Sequence, residues 1–349
     1  MSALTKAAGR KQPDEAPRAA TDSPDTRFSR QSAARWKARL PADLLERYAV
    51  VLTLVGLIIV FTVLKPRTFA TLGDFQTILT TEAALLILTL ALTVSLGAGE
   101  FDLSIGGVIG LSAVLVAKVG AGHGVLAALG ISLLVALVVG VVNSVLIVRF
   151  NVNSFIVTLA MGTLITGIAL GVSGSSTLSG VPDGITAVMQ ARLLGIGVPF
   201  WFAAAAAVGI WFFLEHTPTG RYVFFTGEGR QAALLAGVRV NSVRTLALLI
   251  TTVGAWAAGV FLAGQTSAAD ATFGDPYLLQ AFAAAFLGAA TIKAGRFNAV
   301  GSVVAVALLA VGSTGLQLLG LATWVTSVFD GAVLLIAITF ASLVTKKTR

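Results

Sequence analysis

Residues 104–148 read SIGGVIGLSAVLVAKVGAGHGVLAALGISLLVALVVGVVNSVLIV, and this stretch decides the fold class. Lys118 is its single Asp, Glu, Lys or Arg side chain. It divides into two apolar runs, 104–120 and 125–148. A helix needs about 20 mostly apolar residues to cross roughly 30 Å of hydrocarbon. The stretch therefore predicts two consecutive membrane-spanning helices.

Further apolar runs flank this pair on both sides. Each is continuously apolar rather than alternating, which favours helices over membrane strands. We therefore predict an all-α integral membrane protein with about ten transmembrane helices. The ten runs are 48–64, 78–97, 104–120, 125–148, 154–173, 198–214, 245–263, 278–292, 299–316 and 324–344.

The polar residues are too few for a soluble protein of this size. Only 11% of the 349 residues are charged, against about 25% in an average soluble domain. Residues 1–47 hold 10 Lys or Arg and 6 Asp or Glu, together with many Pro, Ser and Ala. We expect 1–45 to be a disordered basic cytoplasmic arm, 46–345 the transmembrane domain, and 346–349 a cytoplasmic tail.

The basic residues predict the orientation of the chain. With the arm in the cytoplasm and ten spans, ten Lys or Arg outside the arm fall on the cytoplasmic side and four on the outer side. Cytoplasmic loops of membrane proteins carry such an excess. Both termini are therefore predicted to be cytoplasmic. The same rule explains the net charge of +8, so we expect no nucleic-acid partner.

No catalytic or metal-binding motif is present in the sequence. There are no cysteines and two histidines, which excludes thiolate chemistry and argues against a metal site. The phosphate loop, the H-E-x-x-H helix and the G-x-S-x-G turn are also missing. We therefore expect no catalytic residues, no bound cofactor and no metal, and a protein that is not an enzyme.

The loop 216–244 is the longest polar segment within the bundle, and it reads HTPTGRYVFFTGEGRQAALLAGVRVNSVR. We expect a short helix from Glu228 to Gly237 that begins near Gly227. Glu228 would favour the positive end of this helix, and Gly237 suits a left-handed residue that ends it. The alternative is a solvated connector. A face of low bulk that could lie in a groove of another protein is formed by Ala232, Ala233 and Ala236.

Four carboxylates lie in or beside the apolar runs: Glu82, Glu100, Asp102 and Asp330. An ionised acid at mid-bilayer costs at least about 2.5 kcal/mol on insertion scales. Each is therefore a candidate polar contact for a transported solute, or part of a gate. For Asp102 we favour a helix cap before Ser104 over these roles, and for Asp330 we favour a polar contact that faces the interior. Such acids also serve ion coupling in secondary transporters.

Three stretches resemble the permease subunits of ribose-type simple-sugar ABC importers. Residues 101–106, FDLSIG, are similar to the family's Gly-Gly-Ile-Asp-Leu-Ser-Val-Gly signature. Residues 227–238 and Asn241 resemble its Gly-Gly-Asn-x-x-Ala-Ala-x-x-x-Gly-Ile coupling segment. Residues 277–301 resemble its Tyr-Glu-Leu stretch and the turn that follows. The departures from the family pattern are Glu100 for Gly, Gly229 for Asn, Leu278 for Glu, Ala289 for Gly, and Asp330 where many members have Lys.

The resemblance implies a transport subunit of a bacterial plasma (inner) membrane, embedded in the lipid bilayer. It implies a separate ABC ATPase subunit that uses ATP, an extracytoplasmic solute-binding protein received by loops 174–197 and 264–277, and a second permease subunit in a homo- or heterodimer. The ATPase-coupling residues would be Gly227, Gln231, Ala232, Ala233 and Gly237. The residues of a translocation path or gate would be Glu100, Asp102, Ser104 and Asp330.

Two other functions stay open on the sequence alone. One is an ion-coupled secondary transporter that uses Glu82 or Asp330. The other is a channel-like or purely structural membrane subunit.

Overall fold

The computed structural model describes residues 48–69, 71–293 and 295–347. The expectations for the arm up to residue 47 and for residues 348–349 lie outside this part of the chain. Most of the described residues are helical. The elements are α1 Tyr48–Leu64, α2 Leu72–Thr81, α3 Ala83–Gly97, α4 Ile105–Ser144 with a π-helical turn Val145–Arg149, α5 Ser154–Ser173, α6 Asp183–Gln190, β1 Arg192–Leu193, β2 Ile196–Gly197, α7 Val198–His216, α8 Pro218–Glu228, α9 Arg230–Leu235, α10 Val240–Thr266, α11 Asp275–Ala289, α12 Ala299–Leu318 and α13 Thr323–Lys347.

Each of the ten predicted runs overlaps a helix, which confirms the all-α class. Among the described residues, five helices are long and apolar enough to span a membrane, and six if the pair α2 and α3, bent by 46°, forms one span. The apolar helices α1 and α13 qualify only as shorter segments, and α11 has 15 residues. A count of ten spans therefore stays a prediction.

Helix α4 contains the stretch that decides the fold. Its 40 residues would extend about 60 Å if straight, about twice the hydrocarbon thickness. Gly124 interrupts it with φ 76° and ψ −176°, a conformation outside the helical region. This break lies between the predicted runs 104–120 and 125–148. The two runs are thus separate helical segments that meet at Gly124.

The interior of the bundle is built around α3. All its residues except Leu86 are buried, and α10 packs against both α3 and α4. About two thirds of the most apolar window of α10 is buried, against about a fifth of that of α5. Helix α11 packs against α12 and α13 and also contacts α3. The helices that face outward are free to contact lipid or another subunit.

Two glycines of α4, Gly106 and Gly110, pack against the turn 271–274 that precedes α11. A Cβ at Gly110 would lie within 1.9 Å of the Ala271 carbonyl oxygen, and a Cβ at Gly274 within 2.0 Å of the Gly106 carbonyl oxygen. Small residues permit such close approach in membranes. Residues 271–274, which we expected to be part of an outer loop, are therefore anchored along α4.

Candidate functional site

The segment after α7 forms two helices where we expected one. The Thr217 hydroxyl accepts the Gly220 N–H at 3.0 Å, and Pro218 occupies the first turn of α8, a strong combination for starting a helix. Glu228 is consequently the last residue of α8 rather than the first of a new helix, so that prediction is wrong. The chain then breaks at Gly229, and α9 follows.

Gly237 has the conformation that we predicted for it. Its φ of 79° lies in the left-handed region, where side chains are disfavoured. Its N–H donates to the Leu234 carbonyl at 3.0 Å, and the Val238 N–H donates to the Ala233 carbonyl at 3.0 Å. Such bonds give hydrogen-bond donors to carbonyl groups in the last turn of a helix, which have no partner within the helix.

The two alanines of α9 lie on opposite sides. Ala232 is exposed, whereas Ala233 is completely buried in an apolar cluster with Val223, Phe224 and Val240. The expectation that both alanines face another protein is therefore wrong for Ala233, because α9 covers the chain's own core with one face. The residues that α9 exposes are Arg230, Gln231, Ala232, Leu234 and Leu235, and Leu235 is 92% exposed.

A backbone contact seats this segment on the bundle. A Cβ at Gly227 would lie 2.2 Å from the Gly97 carbonyl oxygen and 3.2 Å from the Gly99 nitrogen. Both neighbours are backbone atoms at the end of α3, so they cannot rotate away. The Arg296 guanidinium also stacks on Phe224 of α8, 3.7 Å from the ring centroid, which supports the same seat. We name Pro218–Leu235, which comprises α8 and α9, the coupling segment.

Glu100 lies beside this seat and is paired. Its Oε1 accepts a hydrogen bond from Arg230 at 2.7 Å and one from Arg244 at 2.5 Å. Glu100 and Arg244 are buried, which fits the rule that buried charges are paired. Sequence reasoning assigned the two arginines only to the cytoplasmic charge bias. The position of Arg244 directly before the apolar run 245–263 is the feature of the sequence that indicates a buried, paired cation.

Asp102 and Ser104 form a second buried group in the same loop. Asp102 Oδ1 accepts the Ser104 hydroxyl at 2.5 Å and the Ser104 N–H at 3.0 Å. Asn143 of α4 donates to the Ser104 hydroxyl at 2.9 Å. Ser104, not Asp102, occupies the cap position of α4, so the predicted cap is displaced by two residues. The group joins the two ends of α4.

Asp330 belongs to a different cluster. Gln280 of α11 donates to its Oδ2 at 2.7 Å, and Ser313 of α12 donates to its Oδ1 at 3.4 Å. These bonds join Asp330 of α13 to α11 and α12, and a contact of Asp330 with a solute stays a prediction. Glu82, at the bend between α2 and α3, lines an apolar cavity of about 370 Å³ with Leu54, Phe75 and their neighbours. The structure thus separates Asp330 from Glu100, Asp102 and Ser104.

The two expected outer loops contact each other. Leu178 and Ala269 form an antiparallel bridge, and Thr177 donates to Asp270 at 2.7 Å. Hydrogen bonds from the Thr272 N–H and from the Thr177 and Thr272 hydroxyls lower the pKa of Asp270 below its usual range, because they stabilise the charged form. The junction therefore persists at neutral pH and weakens only as acid protonates Asp270.

Comparison with known proteins identifies the class. Residues 75–338 match the family model described as branched-chain amino acid transport system / permease component. The chain belongs to this family of membrane transport permeases. Together with the ribose import permeases described next, the match confirms the resemblance to ribose-type sugar ABC permeases that three short stretches indicated, and it identifies the protein as a multi-pass transport subunit.

Individual relatives are similar along most of their length. Ribose import permease protein RbsC of Escherichia coli (strain K12) is 28% identical over 302 residues, which cover 85% of this chain and 94% of the relative. Autoinducer 2 import system permease protein LsrD of Photorhabdus luminescens is 30% identical over 310 residues, 85% and 92% of the two chains. Ribose import permease protein RbsC of Bacillus subtilis (strain 168) is 29% identical over 304 residues, 84% and 92% of the two chains. No solved structure matches the chain.

Proposed function

We propose that this chain forms the translocation path of a bacterial ABC importer for a simple sugar or a related small polar solute. The observation that carries the proposal is the coupling segment, which is anchored at Gly227 and exposes Leu235 away from the bundle. An exposed leucine on a short helix outside the spans suits a groove on a partner protein. The names of the relatives, import permeases for ribose and for autoinducer 2, support the class of solute.

The proposed partners follow from the absence of a nucleotide motif in the sequence. A separate ABC ATPase subunit binds the coupling segment through Gln231, Ala232 and Leu235, while Ala233 and Gly237 shape the helix from within. Two permease subunits surround one path, and an extracytoplasmic solute-binding protein delivers the solute at the outer loops. The chain itself binds no nucleotide. ATP-driven closure of the ATPase pair moves the coupling segments and alternates access to the path.

The solute path draws on polar groups within the bundle. Asp330 with Gln280 and Ser313 offers both donors and acceptors, the groups that hydroxyl-rich solutes require. Asp102 and Ser104 lie at the point where α4 begins, and they fit a gate. The names of the relatives describe import permeases, and we do not favour the ion-coupled alternative.

The docking surface is tested by substitution of Leu235. Leu235→Asp places a charge in the proposed contact, where burying it without a partner should cost about 2 kcal/mol or more of binding, roughly thirtyfold in affinity. The measurement is the amount of a co-expressed ABC ATPase subunit that co-purifies with the solubilised chain. The control is Leu194→Asp in the β1–β2 turn, which is 82% exposed and should retain the ATPase. Equal retention by both variants would contradict the docking surface.

The proposed topology has ten spans in an inner membrane, with both termini cytoplasmic and the arm 1–45 outside the transmembrane domain. The interrupted α4 supports two spans in that region, and the basic residues support the orientation. Reporter fusions within the arm and after Arg349 should both be active as cytoplasmic reporters. A periplasmic signal from the C-terminal fusion would contradict an even number of spans.

A further inference from the structure

The ion cluster at Glu100 joins the coupling segment to the spans. Arg230 is the first residue of α9, Arg244 lies in the second turn of α10, and Glu100 lies in the loop between α3 and α4. One oxygen, Glu100 Oε1, accepts from both guanidinium groups. A single carboxylate thus connects the helix that meets the partner with a helix of the core.

The connection extends to two further helices. Arg244 also donates to the Ile147 carbonyl, at 3.4 Å, in the π-helical turn that ends α4. The loop that carries Glu100 is held to α5, because the Phe101 N–H donates to Ser154 at 3.2 Å and the Leu103 N–H donates to Thr158 at 3.0 Å. A displacement of Glu100 or Arg244 would therefore be transmitted through these hydrogen bonds to α4, α5 and α10.

The two ion pairs differ in how easily they open. The Arg244 side chain is 5% exposed, so separating it from Glu100 would leave two buried charges without partners. The Arg230 side chain is 43% exposed, and its departure leaves Glu100 neutralised by Arg244. A polar cavity of about 480 Å³, which Glu100, Arg230 and residues 151–155 line, gives the guanidinium room to move. Arg230 is thus the releasable partner.

We propose that Glu100 and Arg230 are positioning residues that form a releasable link between the coupling segment and the spans. While the pair is closed, a movement of α9 is transmitted through Glu100 and Arg244 to α10. This inference rests on the proposed function, since an ATPase must move α9. Its specific content is that Arg230 acts on Glu100 within this chain and is not a contact to the ATPase.

The test is Arg230→Gln in the assembled complex of the chain with its ATPase. The Arg230 side chain is 43% exposed, and Glu100 keeps Arg244 as its partner after the substitution, so the variant should fold. Hydrogen exchange is measured with and without a non-hydrolysable ATP analogue. In the parent, the analogue should change exchange in 222–236, 98–104 and 240–250. In Arg230→Gln the change in 222–236 should remain, while those in 98–104 and 240–250 should fall by at least about fivefold.

Two variants control for charge and for folding. Arg239→Gln removes an exposed charge a few residues before Arg244, and no ion pair within the described residues involves Arg239. It should behave as the parent does. Arg230→Lys keeps the charge and should restore a large part of the change in 98–104 and 240–250, which a role in shape alone would not predict.

Two results would overturn the proposed link, and a third would overturn the proposed function as well. Undiminished changes in 98–104 and 240–250 in Arg230→Gln would show that α9 moves α10 by another route. Loss of ATPase retention in Arg230→Gln, with retention by Arg239→Gln, would make Arg230 a docking contact instead. If the parent itself retains no ATPase, the proposed function fails, and the link fails with it.

Discussion

Gly227→Ala should abolish productive assembly with the ATPase while the chain still inserts into the membrane. The added Cβ would lie 2.2 Å from the Gly97 carbonyl oxygen, so the coupling segment must leave its seat at the end of α3. Overpacking against fixed atoms typically costs 1–3 kcal/mol. An overpacking cost of about 2 kcal/mol would lower the population of molecules whose coupling segment contacts the end of α3 roughly thirtyfold. The measurement is ATPase retention on the solubilised chain, together with ATP-driven uptake.

Gly229→Ala is the matched control for this substitution. Gly229 lies two residues further along, has an extended φ of −172°, and would place its Cβ 3.7 Å from the Ala232 Cβ. That distance is an ordinary van der Waals contact, so this variant should retain the ATPase as the parent does. Normal retention by Gly227→Ala would show that the contact with Gly97 does not position the segment.

Ala233→Glu should destabilise the chain itself. Ala233 has no exposed surface and packs against Val223 and Phe224 in an apolar cluster. A glutamate side chain at this position would place its carboxylate among apolar groups. An unpaired buried charge is among the few changes that cost about 4 kcal/mol or more. We expect low yield of folded protein, early thermal unfolding in detergent and loss of uptake.

Ala232→Glu separates folding from docking. Ala232 precedes Ala233 but is exposed, so the same new carboxylate stays in water. This variant should unfold at the temperature of the parent and yet retain less ATPase, because the charge lies on the proposed docking face. If Ala232→Glu were the less stable variant of the two, the orientation of α9 would be wrong.

The sequence predicts the helices of the bundle because their signal is local. The runs 48–64 and 154–173 coincide with α1 and α5. For α5 the ends are also encoded locally, since Asn153 caps the first turn and Gly174 ends the helix with φ 64°. Gly237 likewise needed only its own backbone preference. Continuous apolarity and end residues are therefore sufficient for these elements.

The orientation of α9 and the partners of Glu100 could not be predicted in this way. Arg230 and Arg244 lie 130 and 144 positions from Glu100 in the chain, so their meeting depends on how α3, α9 and α10 pack. Ala232 and Ala233 are chemically identical, and only the position of the core decides which one is buried. The start of α8, by contrast, is encoded locally, because the Thr217 cap is followed directly by Pro218.

The most direct measurement is sugar uptake by membrane vesicles that contain the chain, its ATPase and its binding protein. Radiolabelled ribose and other simple sugars are supplied together with the binding protein, with ATP on the side of the ATPase, and a protonophore collapses the proton gradient. Uptake should require ATP and should persist at a similar rate after the gradient is collapsed. Uptake that needs no ATP and stops with the protonophore would contradict an ABC permease and would restore the ion-coupled alternative.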